Sequence, residues 1–405
     1  MDLSFYSNFS NSLAAQEAQI NKLQQQISTG LSVQTPDQNP AAYETAALGT
    51  AQVSRLANDN TTQAAIQVQL GSVNNAYSAT TALFNNVQTI VEQALNGTTN
   101  SQNMNALAGQ VKSAMQQLLA IGNTTAPNGT YLFGGSRAGL APFQANSSGN
   151  IVYFGDGGQS QATIAQAATA STIANGDVFV SSLQGDGTSS ITAASSNGGS
   201  GQILPQGVVN AAAATAFQQG TSPITVSFST SGTQTTYTAT QGGSTIASGP
   251  LTSSGTSGTS VQLAGVDYQI TGQPASGDSF TIAPARPQSA FTLLKNLYTA
   301  LANAGSTPSQ VAQTNQVLNQ SLAGLAQYQQ AVTTAQAQNG VTLQAISAAA
   351  AGNTNQSTEA QTTVQNAVAV NMPSAIASLD QTLTALQAAM KTFGNVQSLS
   401  LFNYV

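Results

Sequence analysis

The chain has no cysteine, no histidine and no tryptophan among its 405 residues, and only 7 basic and 13 acidic side chains. Each absence removes a class of chemistry. Without Cys or His there is no thiolate nucleophile, no thiolate or imidazole metal site and no histidine acid–base scheme. A net charge of -6 leaves no Lys/Arg patch able to neutralise a run of phosphates, so nucleic acid is not expected as a partner. No apolar run approaches the roughly 18 to 20 residues that cross a bilayer, so no membrane contact is expected either. The opening residues Met1 to Asn8 carry neither a basic region nor a continuous apolar segment. A cleaved secretory signal is therefore not expected, and any export would read something else. Lack of Cys suits a protein that leaves the cell without disulfides.

Other chemistry is equally scarce. There is no Gly-x-Ser-x-Gly, no Lys stands three places after a Ser, and no Gly-x4-Gly-Lys-Ser/Thr occurs. The glycine clusters at 155–158, 198–201 and 242–243 sit among strand signals and read as turns. Asp156 and Asp186, each beside glycines, lie outside any EF-hand or nonapeptide pattern, so they too read as turn residues. Neither an enzyme nor a bound cofactor or metal is expected.

What the chain does have is heptad spacing at both ends. Ile66, Leu70, Val73, Tyr77, Thr80, Phe84, Val87 and Val91 recur at alternating steps of four and three, as do Met372, Ile376, Leu379, Leu383, Leu386, Met390 and Phe393. A mean step of 3.5 keeps every side chain on a single helical seam, and a seam is useful only when another helix covers it. A third seam, Leu318, Leu322, Leu325, Gln329, Val332, Gln336, Asn339, Leu343 and Ile346, carries amides in its middle, which weaken a coiled coil but specify its register.

Leu13, Ile20, Leu23 and Ile27 mark an earlier amphipathic helix, stopped by Gly30. Pro36 and Pro40 bracket the turn before a long helix that runs to about residue 96. A third helix ends near Gly122. Between about 136 and 287 the alternation changes to period two, with Ile224, Val226 and Phe228, then Val266, Tyr268 and Ile270, then Phe280 and Ile282. Leu263 to Val266 reads as a two-residue hairpin, and Gly176 to Phe179 and Gly277 to Phe280 hint at a shared strand entry. Helix returns from Ser289, pauses at 305–308, and resumes. The last helix is expected after a break at Gly352 to Asn355 and to end at Gly394.

The expected fold is α+β: an elongated coiled-coil-like bundle from residues 1–135 and 288–405, with a β-rich domain, 136–287, inserted between them. An intramolecular bundle could use these seams. Assembly is favoured by apolar seam at both extremities, where chains commonly fray, and by the few charges that would hold surfaces apart.

Ile27-Ser28-Thr29-Gly30-Leu31, followed by Thr35-Pro36-Asp37-Gln38-Asn39-Pro40-Ala41-Ala42, resembles the N-terminal motif of the bacterial flagellin superfamily. Leu31 and Ser32 stand where a basic residue is common, and Asn39 where an acid is common. Tyr131 to Gly135, Gly277 to Ile282 and Ser398 to Val405 resemble more specifically the hook-associated protein 3 family of hook-filament junction proteins. The resemblance implies a structural adaptor exported by the flagellar type III apparatus to the cell exterior. It implies contacts with other copies of itself, with hook-associated protein 1, with flagellin and with an export chaperone.

On that reading the assembly interface comprises Leu13, Ile20, Leu23, Ile27, Leu379, Leu383, Leu386, Met390, Phe393, Leu399, Leu401 and Phe402, beside the motif turn Ser28, Thr29, Gly30, Pro36, Asp37 and Pro40. The aromatics Phe5, Tyr6, Phe9, Phe402 and Tyr404 are expected to dock. A flagellin-type filament subunit, and a secreted adhesin with coiled-coil arms, are the alternatives.

Overall fold

The computed structural model describes residues 3–96, 101–158, 161–165, 168–171, 174, 176–252 and 258–402, with Leu3, Phe5 and 396–402 described for backbone alone. Among these residues the helices are α1 (Leu3–Thr29), α2 (Pro40–Leu95), α3 (Ser101–Gly122), α4 (Ala211–Gln219), α5 (Ala290–Ala302), α6 (Pro308–Val368) and α7 (Met372–Phe402). The strands are β1 (Phe143–Ala145), β2 (Ile151–Tyr153), β3 (Gln161–Ala165), β4 (Ala168–Ser171), β5 (Ser182–Leu183), β6 (Ser189–Ala193) and β7 (Gln202–Val208). They continue with β8 (Ile224–Ser231), β9 (Gln234–Gln241), β10 (Ser244–Pro250), β11 (Thr259–Leu263), β12 (Val266–Thr271), β13 (Ser279–Pro284) and β14 (Pro287–Gln288). The chain divides into two compact units, one of Met1–Gln63, Thr163–Ala168 and Ser347–Val405, the other of Ala64–Ala162 and Thr169–Ile346.

In the first unit α1 and α7 pack antiparallel. Phe9 stacks on Phe393 with ring centroids 4.1 Å apart, while at the other end Leu31 forms an antiparallel bridge with Ala369. The start of α2 meets the end of α6 at Gly49, where an added Cβ would lie 2.5 Å from Val364 Cγ2. A residue without a side chain leaves room there for the Val364 methyl against the α2 backbone. Gln63 and Asn353, both buried, aim their amides at the Ile164 carbonyl, and the Asn353 Nδ2 contact is 3.4 Å.

In the second unit the heptad stripe of α2 is interior. Ile66, Leu70, Val73, Tyr77, Thr80, Phe84, Val87 and Val91 are all buried, and Phe84 meets Tyr328 of α6 with centroids 5.8 Å apart. This seam is covered from within the chain, so it belongs to the intramolecular core and offers no surface for assembly. Leu107, Val111 and Leu118 of α3 and Leu294, Leu297 and Leu301 of α5 complete the same core. The amides of the third seam set register as their positions suggest. Gln329 Nε2 donates to Asn85 Oδ1 at 2.8 Å, Gln336 Nε2 to Ser78 Oγ at 3.2 Å and Asn339 Nδ2 to the Leu70 carbonyl at 3.0 Å. A slip of one turn would break all three bonds and strand the buried Asn339 donor.

The strands form small antiparallel sheets. The largest runs in the order β10-β9-β8-β13-β6, and a second has the order β11-β12-β7. Period-two burial follows from the alternation: Ile224, Val226 and Phe228 of β8 and Phe280 and Ile282 of β13 share a second core with Val266, Tyr268 and Ile270 of β12. The β11–β12 turn has Ala264 at φ +49° and Gly265 at φ +79°, the paired left-handed conformation of a two-residue hairpin.

Three expectations fail. Gly352 to Asn355 lie inside α6, because the Asn353 amide is satisfied by the Ile164 carbonyl and so does not seek local backbone. The true break is 369–371, where the Asn371 side chain accepts from the Ser374 N–H at 3.1 Å and caps α7. Gly394 does not end that helix, which continues to Phe402. Gly176 to Phe179 form a 3₁₀ turn, not the strand entry that Gly277 to Phe280 provide.

Candidate assembly surface

The α1–α7 pair carries most of the residues expected to mediate assembly, and α7 is only partly covered. On α1, Ile20 and Leu23 are buried and Leu13 and Ile27 half-buried. On α7, Leu379, Leu383, Leu386 and Phe393 are half-buried, whereas Met372, Ile376 and Met390 are 39%, 46% and 50% exposed. The apolar seam on α7 is therefore wider than the face that α1 covers. Tyr6 packs edge-on against Phe393, with centroids 5.3 Å apart, and remains 48% exposed. The side chains of Phe5, Leu399, Leu401 and Phe402, and Tyr404 as a whole, lie outside the described residues.

The motif turn fastens this pair. Gly30, at φ +72°, ends α1 with its N–H on the Gln26 carbonyl at 2.8 Å. Its own carbonyl accepts from the Val370 N–H at 2.9 Å, and the Ser32 N–H donates to the Val368 carbonyl at 2.7 Å. Two chain reversals are thus tied by a miniature antiparallel ladder. Thr29 Oγ1 donates to the Gln25 carbonyl at 2.8 Å and accepts from Gln34 Nε2 at 2.7 Å. Ser28, Pro36 and Asp37 are exposed, with Pro36 and Asp37 in the turn ahead of α2, and Pro40 opens α2 as a first-turn proline. Asn39, despite lacking an acid's charge, caps α2 by accepting from the Ala42 N–H at 3.2 Å.

Residues 2–138 match the family model of the bacterial flagellin N-terminal helical region. A stretch of 132 residues is 32% identical to flagellar hook-associated protein 3 of Escherichia coli, covering 31% of this chain and 40% of that protein. The crystal structure of Xanthomonas campestris FlgL superimposes with a TM-score of 0.64 at 26% identity, over 74% of this chain and 94% of that one. The N-terminal third of the chain thus resembles the flagellin N-terminal helical region. The chain's fold is also that of the flagellar junction protein FlgL from Legionella pneumophila, with a TM-score of 0.62 at 24% identity over 74% of this chain and 97% of the other. The alignment to the Escherichia coli relative spans less than half of that protein's length.

The superfamily-like segment Tyr131 to Gly135 leaves the helical core with Leu132 and Phe133 fully buried. Gly135 sits at φ +62°, and a Cβ there would fall 2.1 Å from the Asp156 carbonyl oxygen, so glycine is required twice over. Asp156 closes the loop by accepting from the Ser136 hydroxyl, from the Ser136 N–H at 2.7 Å and from the Gly158 N–H at 3.1 Å, with Arg137 Nε 3.8 Å away. The Ser136 hydroxyl bond above all holds the Asp156 carboxyl below its usual range. A depressed folded value means that the stabilisation is present above the unfolded pKa and lost as pH falls through the folded one. Protection of the Ser136 and Gly158 amides, taken relative to their intrinsic exchange rates, should therefore fall in acid below the ordinary carboxylate range. In Asp156→Asn that protection should already be low at neutral pH, with little further loss on acidification.

Asp186 also serves a turn, accepting from the Thr188 and Ser189 N–H groups at 2.9 and 2.7 Å. Sequence reasoning missed Val368 to Val370 as partners of the motif turn. Asn371 followed by Pro373 was the available signal, since an N-cap residue with proline in the next turn marks a helix start.

Proposed function

We propose that this chain is the junction adaptor that joins the flagellar hook, through hook-associated protein 1, to the flagellin filament, acting as a ring of subunits outside the cell. The observation that carries the reading is the α7 seam, where Met372, Ile376 and Met390 stay exposed at heptad positions after α1 is in place. A heptad seam is satisfied by a further helix, and a neighbouring subunit supplies one in the same geometry. The likeness to proteins named as hook-associated protein 3 and FlgL supports the same role.

The mechanism is mechanical and involves no catalysis. Terminal helices of adjoining copies interlock, while the β-rich segment 136–287 faces outward as a separate domain between the helical segments 1–135 and 288–405. Half-covered terminal helices are easy to unfold for type III export with a chaperone, and they complete their burial on meeting a neighbour.

Mixing the purified chain with hook-associated protein 1 tests the reading. Stable binding without extension into long fibres is expected, followed by capture of flagellin. Self-polymerisation into long filaments would indicate a flagellin-type filament subunit instead.

A further inference from the structure

The helical hairpin α5–α6 and strand β6 border a cleft of about 560 Å³, within the roughly 300 to 1,000 Å³ of small-molecule sites. Ile191, Leu293 and Val317 give it an apolar floor, and Asn296, Asn303 and Gln310 give it an amide rim. None of its described lining residues is charged, so an ionic ligand would shed water there without gaining a counter-charge. A neutral ligand meets no such penalty.

Two amides of α6 line the cleft with one end fixed and the other unused. Gln320 Oε1 accepts from the Ile191 N–H at 3.2 Å, which leaves Nε2, bound to nothing else among the described residues, as a donor. Gln313 Nε2 donates to the Asn197 carbonyl at 3.1 Å, which leaves Oε1 as an acceptor in the same way. A main-chain N–H must meet an oxygen and a carbonyl must meet an N–H₂, so neither amide can turn over. Gln313 and Gln320 are seven residues apart and therefore share a face of α6, about 10.5 Å from each other along its axis.

Thr314, which also lines the cleft, is only 8% exposed, yet its hydroxyl makes no hydrogen bond among the described residues. The other helical hydroxyls on the cleft wall behave differently. Those of Thr299 and Ser321 donate to the Lys295 and Val317 carbonyls one turn back, at 2.9 and 2.8 Å. Thr314 leaves the corresponding Gln310 carbonyl alone and keeps both its donor and its acceptor for whatever fills the cleft.

A fixed donor, a fixed acceptor and a hydroxyl able to serve as either, set over an apolar floor, match a neutral ligand with hydroxyls along its edges and C–H groups on its faces. We propose that the cleft binds a short neutral oligosaccharide, its hydroxyls on Gln320 Nε2, Gln313 Oε1 and the Thr314 hydroxyl and a ring face on Ile191, Leu293 and Val317. Both amides are held in place before the ligand arrives, so little side-chain entropy is lost on binding. An added peptide strand is not what the cleft recognises, because the Ser189 and Ile191 N–H groups of β6 are already held by Asp186 and Gln320. The site uses no residue of the α7 seam and stands independently of the junction role.

The test uses the full chain with maltotriose, cellotriose and triacetylchitotriose, read by calorimetry and by methyl spectra of the labelled protein. Saturable binding of at least one sugar is expected, with shifts at the Ile191, Leu293 and Val317 methyls. Thr314→Val keeps the side-chain shape and removes only a hydroxyl that bonds nothing in the fold, so affinity should drop about tenfold while the unfolding midpoint holds. Gln320→Glu keeps the acceptor for the Ile191 N–H and replaces the unused donor by a second oxygen, so it should weaken binding at least as much. Absence of binding by all three sugars overturns the proposal, as does binding that Thr314→Val leaves unchanged, or tighter binding of the blocked peptide acetyl-trialanine amide. The variant Ile376→Asp/Met390→Asp should bind the sugar undiminished, so failure of the seam and failure of the cleft are separately visible.

Discussion

Ile376→Asp/Met390→Asp should abolish assembly while leaving the isolated chain folded. Both side chains are about half exposed before any partner arrives, so the molecule alone loses little when they change. In an assembled seam each would bury its remaining area, worth about 1 kcal/mol or more per residue. Each carboxylate would in addition face an apolar seam without a cation, at a cost of a few kcal/mol. A total of about 4 kcal/mol or more corresponds to roughly a thousandfold loss of association. Sedimentation with hook-associated protein 1 would read that loss, and thermal unfolding of the variant alone should match the parent. Undiminished association would show that the exposed half of α7 is not the contact surface.

The contrast between the two terminal stripes has a physical basis that spacing alone does not reveal. Both repeat every 3.5 residues, but the stripe from Ile66 to Val91 meets α6 in its own chain and is fully buried, whereas the α7 stripe packs on α1 and leaves Met372, Ile376 and Met390 exposed. Period identifies a seam; it does not identify what covers it. The hairpin at Ala264-Gly265 was legible because left-handed backbone selects residues in a narrow way, and the amides of α6 were legible because polar groups at seam positions need specific partners.

Misreadings arose where a distant group overrode a local signal. Gly352 and Asn353 look like a helix stop, but Asn353 is held by the carbonyl of Ile164, 189 residues earlier in the chain. The tie between Gly30 to Ser32 and Val368 to Val370 joins two reversals that no local pattern relates. The β-sheet order, which makes β6 and β10 opposite edges, likewise depends on the long return of β13 to lie between β6 and β8.

Asp278→Ala should be the most destabilising single change in the β core. The side chain is only 3% exposed, yet it is fully engaged. Oδ1 accepts from the Gly198 N–H at 2.8 Å, and Oδ2 accepts from the Gly199 N–H at 3.1 Å and the Ala275 N–H at 2.8 Å. Beside it, Asn197 Nδ2 donates to the Ser279 carbonyl at 3.0 Å while its Oδ1 accepts from the Ser279 N–H at 2.9 Å, fixing the entry to β13. The loop cannot relax inward around a smaller residue, because Gly199 already sits where a Cβ would be 2.3 Å from the Ala275 nitrogen. Truncation strands three donors at about 1 to 3 kcal/mol each, less whatever water recovers, for a net of about 3 to 5 kcal/mol. For a unit of this size that lowers the unfolding midpoint by roughly 6 to 20 °C. Asp278→Asn retains one acceptor oxygen and presents an amide N–H₂ to the remaining donors, so it should fall between the parent and the alanine variant. Hydrogen exchange should localise both losses to β8, β13 and the 197–199 loop, with the α2 stripe from Val73 to Val91 protected as before. Equal loss of protection in that helical core would mean that the two cores unfold as one, and that Asp278 secures more than the strand it precedes.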